Sequence, residues 1–286
     1  MRYCGRQFSS EEINRINHWV ATEPDLSRQE LSRRFCRDAN WRKPDGGLKD
    51  MSCRVAFLKM DKAGIIRLPE PKRAFFKPGS RLKHTPLDLD TTPINQSAGE
   101  LDPVLELVEK GQSAIWNQLI QRYHYLGYTT LPGAQLRYLV KSKGRLIALL
   151  GFGAAAWKTA PRDQYISWSA PQRKKNLHLI VNNARFLILP WVRSKNLASR
   201  VLSLAARQIA ADWQERYSYQ PCLLETFVQK DRFSGTCYKA ANWIYVGDTK
   251  GRGKLDVKNE YKLPVKSVWV YPLCRNFRNK LIDEHA

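Results

Sequence analysis

The sequence predicts an α+β protein: a small helical N-terminal domain followed by a larger, mixed, largely antiparallel α/β domain. Three observations carry this. Apolar residues recur at helical spacing in three separate stretches before Gly64. Six of the fifteen prolines fall between Pro69 and Pro103, where a fixed φ and a missing N–H disfavour a packed element. Beyond Ser113, short strand-like runs alternate with helical stretches, one of them long. The expected division is residues 1–73 as a helical DNA-binding-like domain, 74–112 as a Pro-rich linker, and 113–286 as a basic α/β domain.

In the first domain Ser10 is positioned to cap a helix whose apolar positions are Ile13, Ile16, Trp19 and Val20. Ser27 and Glu30 form a capping-box pattern ahead of Leu31 and Phe35. A third amphipathic stretch carries Leu48, Met51, Val55 and Leu58, and Ile65–Leu68 has the composition of a short strand. Three helices and a strand suggest a helix-turn-helix or winged-helix module. Its recognition helix would present Lys49, Ser52, Arg54 and Lys59 to DNA. The connection from about Asp38 to Gly47 is longer than the usual tight turn, and a helical docking domain is the competing reading.

In the second domain a helix is expected from Ser113 to about Tyr125. Strands are expected at Leu136–Val140, Leu146–Phe152, Tyr165–Trp168, Leu177–Val181 and Phe186–Leu189. Asn182-Asn183-Ala184-Arg185 reads as a turn between two of them. Asn196 opens a long helix, and Leu223–Val228 is the next strand. A short helix through Tyr238–Ala241 follows, then strands at Ile244–Gly247 and Val268–Tyr271.

Charge narrows the function. Lys and Arg number 48 against 26 Asp and Glu, a net charge of +22. Residues 1–73 hold 16 basic and 10 acidic side chains, residues 74–112 hold 4 and 6, and residues 113–286 hold 28 and 10. A surface of this kind suits a polyanion, DNA above all. The chain has no run of 18 apolar residues and no apolar leader-like segment at its start, so a cytoplasmic protein without a membrane span is expected. Six scattered cysteines without a CxxC pair argue against a zinc ribbon or a disulfide scaffold.

The order helix, antiparallel strands, long helix, strand, short helix, strand resembles the GNAT acyltransferase layout over about residues 113–275. That layout implies a pyrophosphate held on a Gly-rich turn at the start of the long helix. Here the turn reads Val192-Arg193-Ser194-Lys195-Asn196-Leu197-Ala198-Ser199, without glycine.

A second resemblance rests on longer strings: LIQRYHYLGY, RDQYISW, NNARFLILPWVRSKNLAS, LLETFVQKDRFSGTCYKAANWIYVGDTKGRG and LKDMSCRVAFLKMDKAGIIRLPEP. In this order they resemble the Druantia anti-phage protein A family, including its mobile-element-associated members. The family pattern has Gly where this chain has Ser167. The resemblance implies a bacterial, DNA-directed protein of a defence or mobile-element system.

Candidate chemistry centres on residues 225–239. Cys237 is expected near a helix start, where the dipole and nearby Arg232 and Lys239 would favour the thiolate. Cys237 or Tyr238 would then attack a phosphodiester, nicking or transferring a DNA strand, with His124 as general base and Glu225 assisting. Against this stands a small, buried, inert cysteine. Asp163, Glu225 and Asp231 would have to converge to hold magnesium, the one cofactor considered; no metal site is otherwise expected. The alternative for Glu225 is a buried pair with an arginine such as Arg185. Phosphate contacts are expected from Lys49, Arg54 and Lys59, and from Arg173, Lys174, Arg185, Arg193, Lys195, Arg232, Lys239, Lys250, Arg252 and Lys254. Trp157, Trp168, Trp191 and Trp243 are candidates for stacking on unpaired bases, with core packing as the plainer alternative. The functional alternatives are a non-catalytic DNA-binding subunit that works with a helicase or another defence partner, and a GNAT-type acyltransferase.

Overall fold

The computed structural model describes residues 1–43, 46–70, 89–131, 133–251 and 263–283. The chain divides into two compact units, Met1–Ser80 and Arg81–Ala286.

The first unit begins with a two-residue ladder, β1 (Arg2–Tyr3) against β2 (Arg6–Gln7), and continues as three helices, α1 (Ser10–Thr22), α2 (Arg28–Asp38) and α3 (Asp50–Lys62). Ser9, one residue before the expected cap, closes a full capping box with Glu12. Ser27 caps α2 as expected, accepting from the Glu30 N–H. Phe8, Ile16, Trp19, Leu31, Phe35, Phe57 and Met60 form the core. Residues 65–68 form no strand. Their Ile66 and Leu68 are buried in this core, so their apolar pattern reports packing rather than a wing.

The second unit is one seven-stranded sheet in the order β3-β4-β5-β6-β7-β9-β8. Its elements are β3 (Val104–Leu107), α4 (Ser113–Tyr123), β4 (Leu136–Ser142), β5 (Arg145–Ala154), α5 (Ala160–Ile166), α6 (Ala170–Asn176), β6 (Ile180–Ile188), α7 (Leu197–Tyr217), β7 (Leu223–Gln229), α8 (Thr236–Ala240), β8 (Ile244–Asp248), β9 (Lys266–Pro272) and α9 (Phe277–Ile282). All neighbouring strands are antiparallel except β6 and β7, which are parallel. This is the GNAT-like layout expected, with a helical pair, α5 and α6, inserted between β5 and β6.

Helices cover both faces of the sheet. Adjacent residues on a strand point to opposite faces. On β4, Arg137 donates to Ser113 and Asn117 of α4, while Tyr138 donates to Asp212 of α7 at 2.7 Å. The two helices therefore flank the sheet from opposite sides. Trp116 of α4 lies close above Gly151 and donates its indole N–H to the Leu150 carbonyl at 3.2 Å.

Three expectations are corrected. Tyr165–Trp168 is not a strand: Pro161 sits in the first turn of α5, where a missing N–H costs nothing, and Ser167 ends that helix at φ +65. That left-handed conformation is one glycine adopts at least cost. Residues 182–185 are not a turn but the middle of β6, beside a bulge at Gly151/Phe152 of β5. Residues 89–112 of the expected linker belong to the second unit. They supply β3 and a strap in which Ile94 bridges Val192, and the Arg145 guanidinium holds Asp90 at 2.7 Å and the Thr92 carbonyl at 2.6 Å. A cleft of about 290 Å³ beside the strap is lined by Leu89, Ile115, Leu139, Arg145 and Trp191. Of the sequence-predicted residues it gathers Trp191 alone.

Candidate functional site

The parallel pair provides the geometry. Strands β6 and β7 are in register only at Ile180/Leu223, Val181/Leu224 and Asn182/Glu225. Beyond that point both continue, but β6 pairs only with β5 and β7 only with β9. The sheet forks. The carboxyl ends of the two strands leave on the same side, and the loops following them lead into α7 and α8. In open α/β sheets such an end is where ligands bind.

Asn183, Thr226 and Tyr238 close the base of the fork. The Tyr238 hydroxyl donates to Asn183 Oδ1 at 2.9 Å, and Thr226 Oγ1 lies 3.1 Å from the Asn183 carbonyl and 3.4 Å from the tyrosine oxygen. All three side chains are buried. Burial raises the Tyr238 pKa above its ordinary value. A buried, neutral phenol that already donates a hydrogen bond is a tie across the fork rather than an exposed nucleophile.

The Cys237 expectation is reversed. Burial raises its thiol pKa, and only backbone hydrogen bonds at Cys237 and Tyr238 oppose the change. Helix α8 has five residues, too short to supply much of a dipole. The turn into α8 depends on Gly235 at φ +75, where an added Cβ would lie 2.8 Å from the Trp269 ring. Gly235→Ala is expected to destabilise the protein by about 2 kcal/mol, read as a lowered urea midpoint with an unchanged slope.

His124 caps the C-terminal end of α4, and its Nδ1 accepts the Leu126 N–H at 3.2 Å. Burial, with a smaller contribution from Arg185, lowers its pKa to about 4. The ring is therefore neutral at physiological pH and a weak base.

The carboxylates do not converge as a metal site. Glu225 and Asp163 both bind Arg162, at 2.7 Å each. Asp231 lies on the exposed loop after β7 and accepts from Gln229 at 3.2 Å. Among the described residues, no group of three His, Cys, Asp or Glu could hold an ion. Burial raises the Glu225 carboxyl, opposed by Arg162 and the Ala156 N–H. The fully buried partner of Glu225 is therefore Arg162 and not Arg185. Arg185 instead reaches the Gly127 carbonyl and Thr129 Oγ1, pinning the loop after α4 to β6.

The basic residues separate into those held internally and those left exposed. Arg54 is tied to Asp50 at 3.3 Å, while Met51, Val55 and Leu58 stand exposed on α3 beside Lys59; Lys49 precedes the helix. Arg173 is held by Asp163 at 3.5 Å and lies over the exposed Trp157. Trp168 and Trp243 are buried, and Trp191 packs against the core. Lys174 and Lys250 are exposed, and Arg252 and Lys254 lie outside the described residues. Arg193 and Lys195 after β6, and Arg232 and Lys239 around the turn after β7, are all exposed. Chain topology brings these four to the open end of the fork.

Helix α7 begins at the same end. Asn196 takes φ +66, a left-handed conformation usually left to glycine, and supplies no side-chain cap. The absence of glycine thus does not prevent the turn.

The family model of Druantia protein DruA matches residues 60–261. The chain belongs to that family. Solved structures similar to this DruA-family chain include a Drosophila melanogaster polyamine N-acetyltransferase (13% identity, TM-score 0.38, covering 60% of this chain and 100% of that one). Others are a probable acetyltransferase from Staphylococcus epidermidis (8%, TM-score 0.39, 59% and 98%) and a GNAT-family acetyltransferase from Streptococcus pneumoniae (13%, TM-score 0.39, 60% and 99%). Comparison with curated proteins finds no match. Among the described residues, no helix is long and apolar enough to cross a membrane.

Proposed function

We propose that this DruA-family chain is a DNA-binding component of an anti-phage or mobile-element system. In this reading it grips the phosphate backbone at the carboxyl ends of β6 and β7. One observation carries the reading. In the second unit, Asp163 and Glu225 are bound by Arg162, Asp212 by Tyr138 and Gln208, and Asp248 by Lys230. Arg193, Lys195, Arg232 and Lys239 stay exposed at one end of the sheet. The net positive charge is thus turned outward at a fork that already favours ligands. The surroundings of Cys237, Tyr238 and His124 favour binding over strand cleavage. A helicase or another defence subunit would then supply the work on DNA.

The test is fluorescence anisotropy of labelled duplex and single-stranded DNA across a salt series. Four phosphate contacts imply log K falling with log salt at a slope near −3.6 for duplex and about −2.8 for single strands. Absent or salt-independent binding would refute the reading.

A second reading, acyl transfer, is favoured by the left-handed Asn196. The first-turn N–H groups of α7 have no intrahelical acceptor, and the buried Ser194 Oγ beside them has no hydrogen-bond partner among the described residues. These groups fit the pyrophosphate of an acyl-coenzyme A, whose thioester would supply an activated acyl group when bound. Crowding the same turn, Ile94 takes the Arg193 N–H and the Trp191 carbonyl, each at 2.8 Å. Calorimetric titration with coenzyme A separates the readings: binding that displaces no DNA supports acyl transfer as a distinct activity, and absent heat removes it.

A further inference from the structure

Two exposed rings face each other beside the fork. Tyr125, on the loop after α4, is 38% exposed, and Phe233, on the loop after β7, is 49% exposed. Their centroids lie 5.3 Å apart at 60°. Exposed rings brought together from two separate loops are a candidate contact surface.

Their surroundings indicate for what. The Arg232 guanidinium sits 5.4 Å from the Tyr125 centroid and makes no ion pair among the described residues. The neutral His124 ring stacks on Tyr125 at 4.9 Å. Behind them, Arg185 clamps the Tyr125 loop through Gly127 and Thr129, so the Tyr125 ring is carried on braced backbone. An apolar partner would be met by an apolar rim; here the Arg232 and Arg185 cations act on the Tyr125 ring, with the acidic Asp231 also near. Rings interleaved with cations match a strand that alternates flat bases with phosphates. Paired bases keep their faces stacked inside the duplex, so only an unpaired base can use this platform.

We infer that Tyr125 and Phe233, flanked by Arg232, form a stacking site for an unpaired nucleobase, and that the preferred ligand is single-stranded or locally opened DNA. This rests on the DNA-binding reading above and specifies its substrate class.

The full chain is titrated with a thymidine oligonucleotide of about 12 nucleotides and with an abasic strand of equal length and charge. Wild type is expected to bind the base-bearing strand roughly 5- to 100-fold more tightly. Tyr125→Leu with Phe233→Leu keeps apolar volume but removes the rings. It should abolish this preference while leaving abasic-strand affinity within about 2-fold. Tyr125→Phe should retain the preference, and thermal midpoints of both variants verify folding. Equal wild-type affinity for the two strands, a preference surviving in the double variant, or a preference lost instead in Trp157→Ala would overturn the inference while DNA binding stands. No salt-dependent binding of either strand would overturn both.

Discussion

Replacing Arg162 by methionine is expected to lower stability by about 3–5 kcal/mol near neutral pH, the cost of leaving a buried charge unpaired. Arg162 is fully buried between α5 and β7. It donates to Glu225 at 2.7 Å, to the Ala156 carbonyl at 2.8 Å and to Asp163 at 2.7 and 3.0 Å. Glu225 has no exposure and, among the described residues, otherwise accepts only the Ala156 N–H. Without the guanidinium, the Glu225 carboxyl rises further, because the largest group pulling it down is gone. A carboxyl whose folded pKa exceeds its unfolded value contributes stability at low pH, and that contribution is lost as pH rises through the folded pKa. The deficit of Arg162→Met should therefore be smallest near about pH 5 and grow toward about pH 7.5. Adding Glu225→Leu should recover much of it, since an apolar pair replaces a broken ionic one. Urea titrations at the two pH values decide this. A deficit independent of pH, or below about 1 kcal/mol, would mean that Glu225 is not held ionised by Arg162.

The largest effect on function is expected from the four exposed cations. Exchanging Arg193, Lys195, Arg232 and Lys239 together for alanine should weaken duplex binding by two or more orders of magnitude at low salt. The log–log salt slope should become shallower by about 3.6. None of the four lies in the buried core, so the urea midpoint should move by less than about 0.5 kcal/mol per site. A control in which Lys174 and Lys250 are exchanged instead should lose far less. Equal losses in both sets would mean diffuse attraction to the whole surface rather than a grip at the fork.

Much of the architecture was legible in the sequence because its signals are local. The Ser27 cap, the apolar faces of α1 to α4 and α7, and the apolar runs of β4, β5 and β7 each lie within one element. The errors arose where a local pattern had a non-local cause. Two successive asparagines read as a turn, yet Asn183 sits in mid-strand and donates to the Arg185 and Gly151 carbonyls at 3.2 and 3.4 Å across a bulge. Tyr165–Trp168 has strand composition but follows Pro161 into a helix.

The site was less legible. The thiolate expected at Cys237 was not legible, because burial raises the pKa of Cys237 and Tyr238 and burial comes from distant packing. Arg162 and Glu225 are 63 residues apart, and no spacing rule joins them. Asn196 shows the opposite limit: the missing glycines counted against coenzyme A, but asparagine takes the left-handed conformation that opens the long helix.

The central claim is that DNA lies across the carboxyl ends of β6 and β7. Hydrogen–deuterium exchange of the full chain, with and without single-stranded DNA, tests it most directly. Slowed exchange is expected at residues 192–199 and 230–239 and on the loop at 124–131, with little change in β3 or at the C-terminal end of α7. Protection confined to residues 1–62, or absent from all three loops under conditions of saturating binding, would contradict the account.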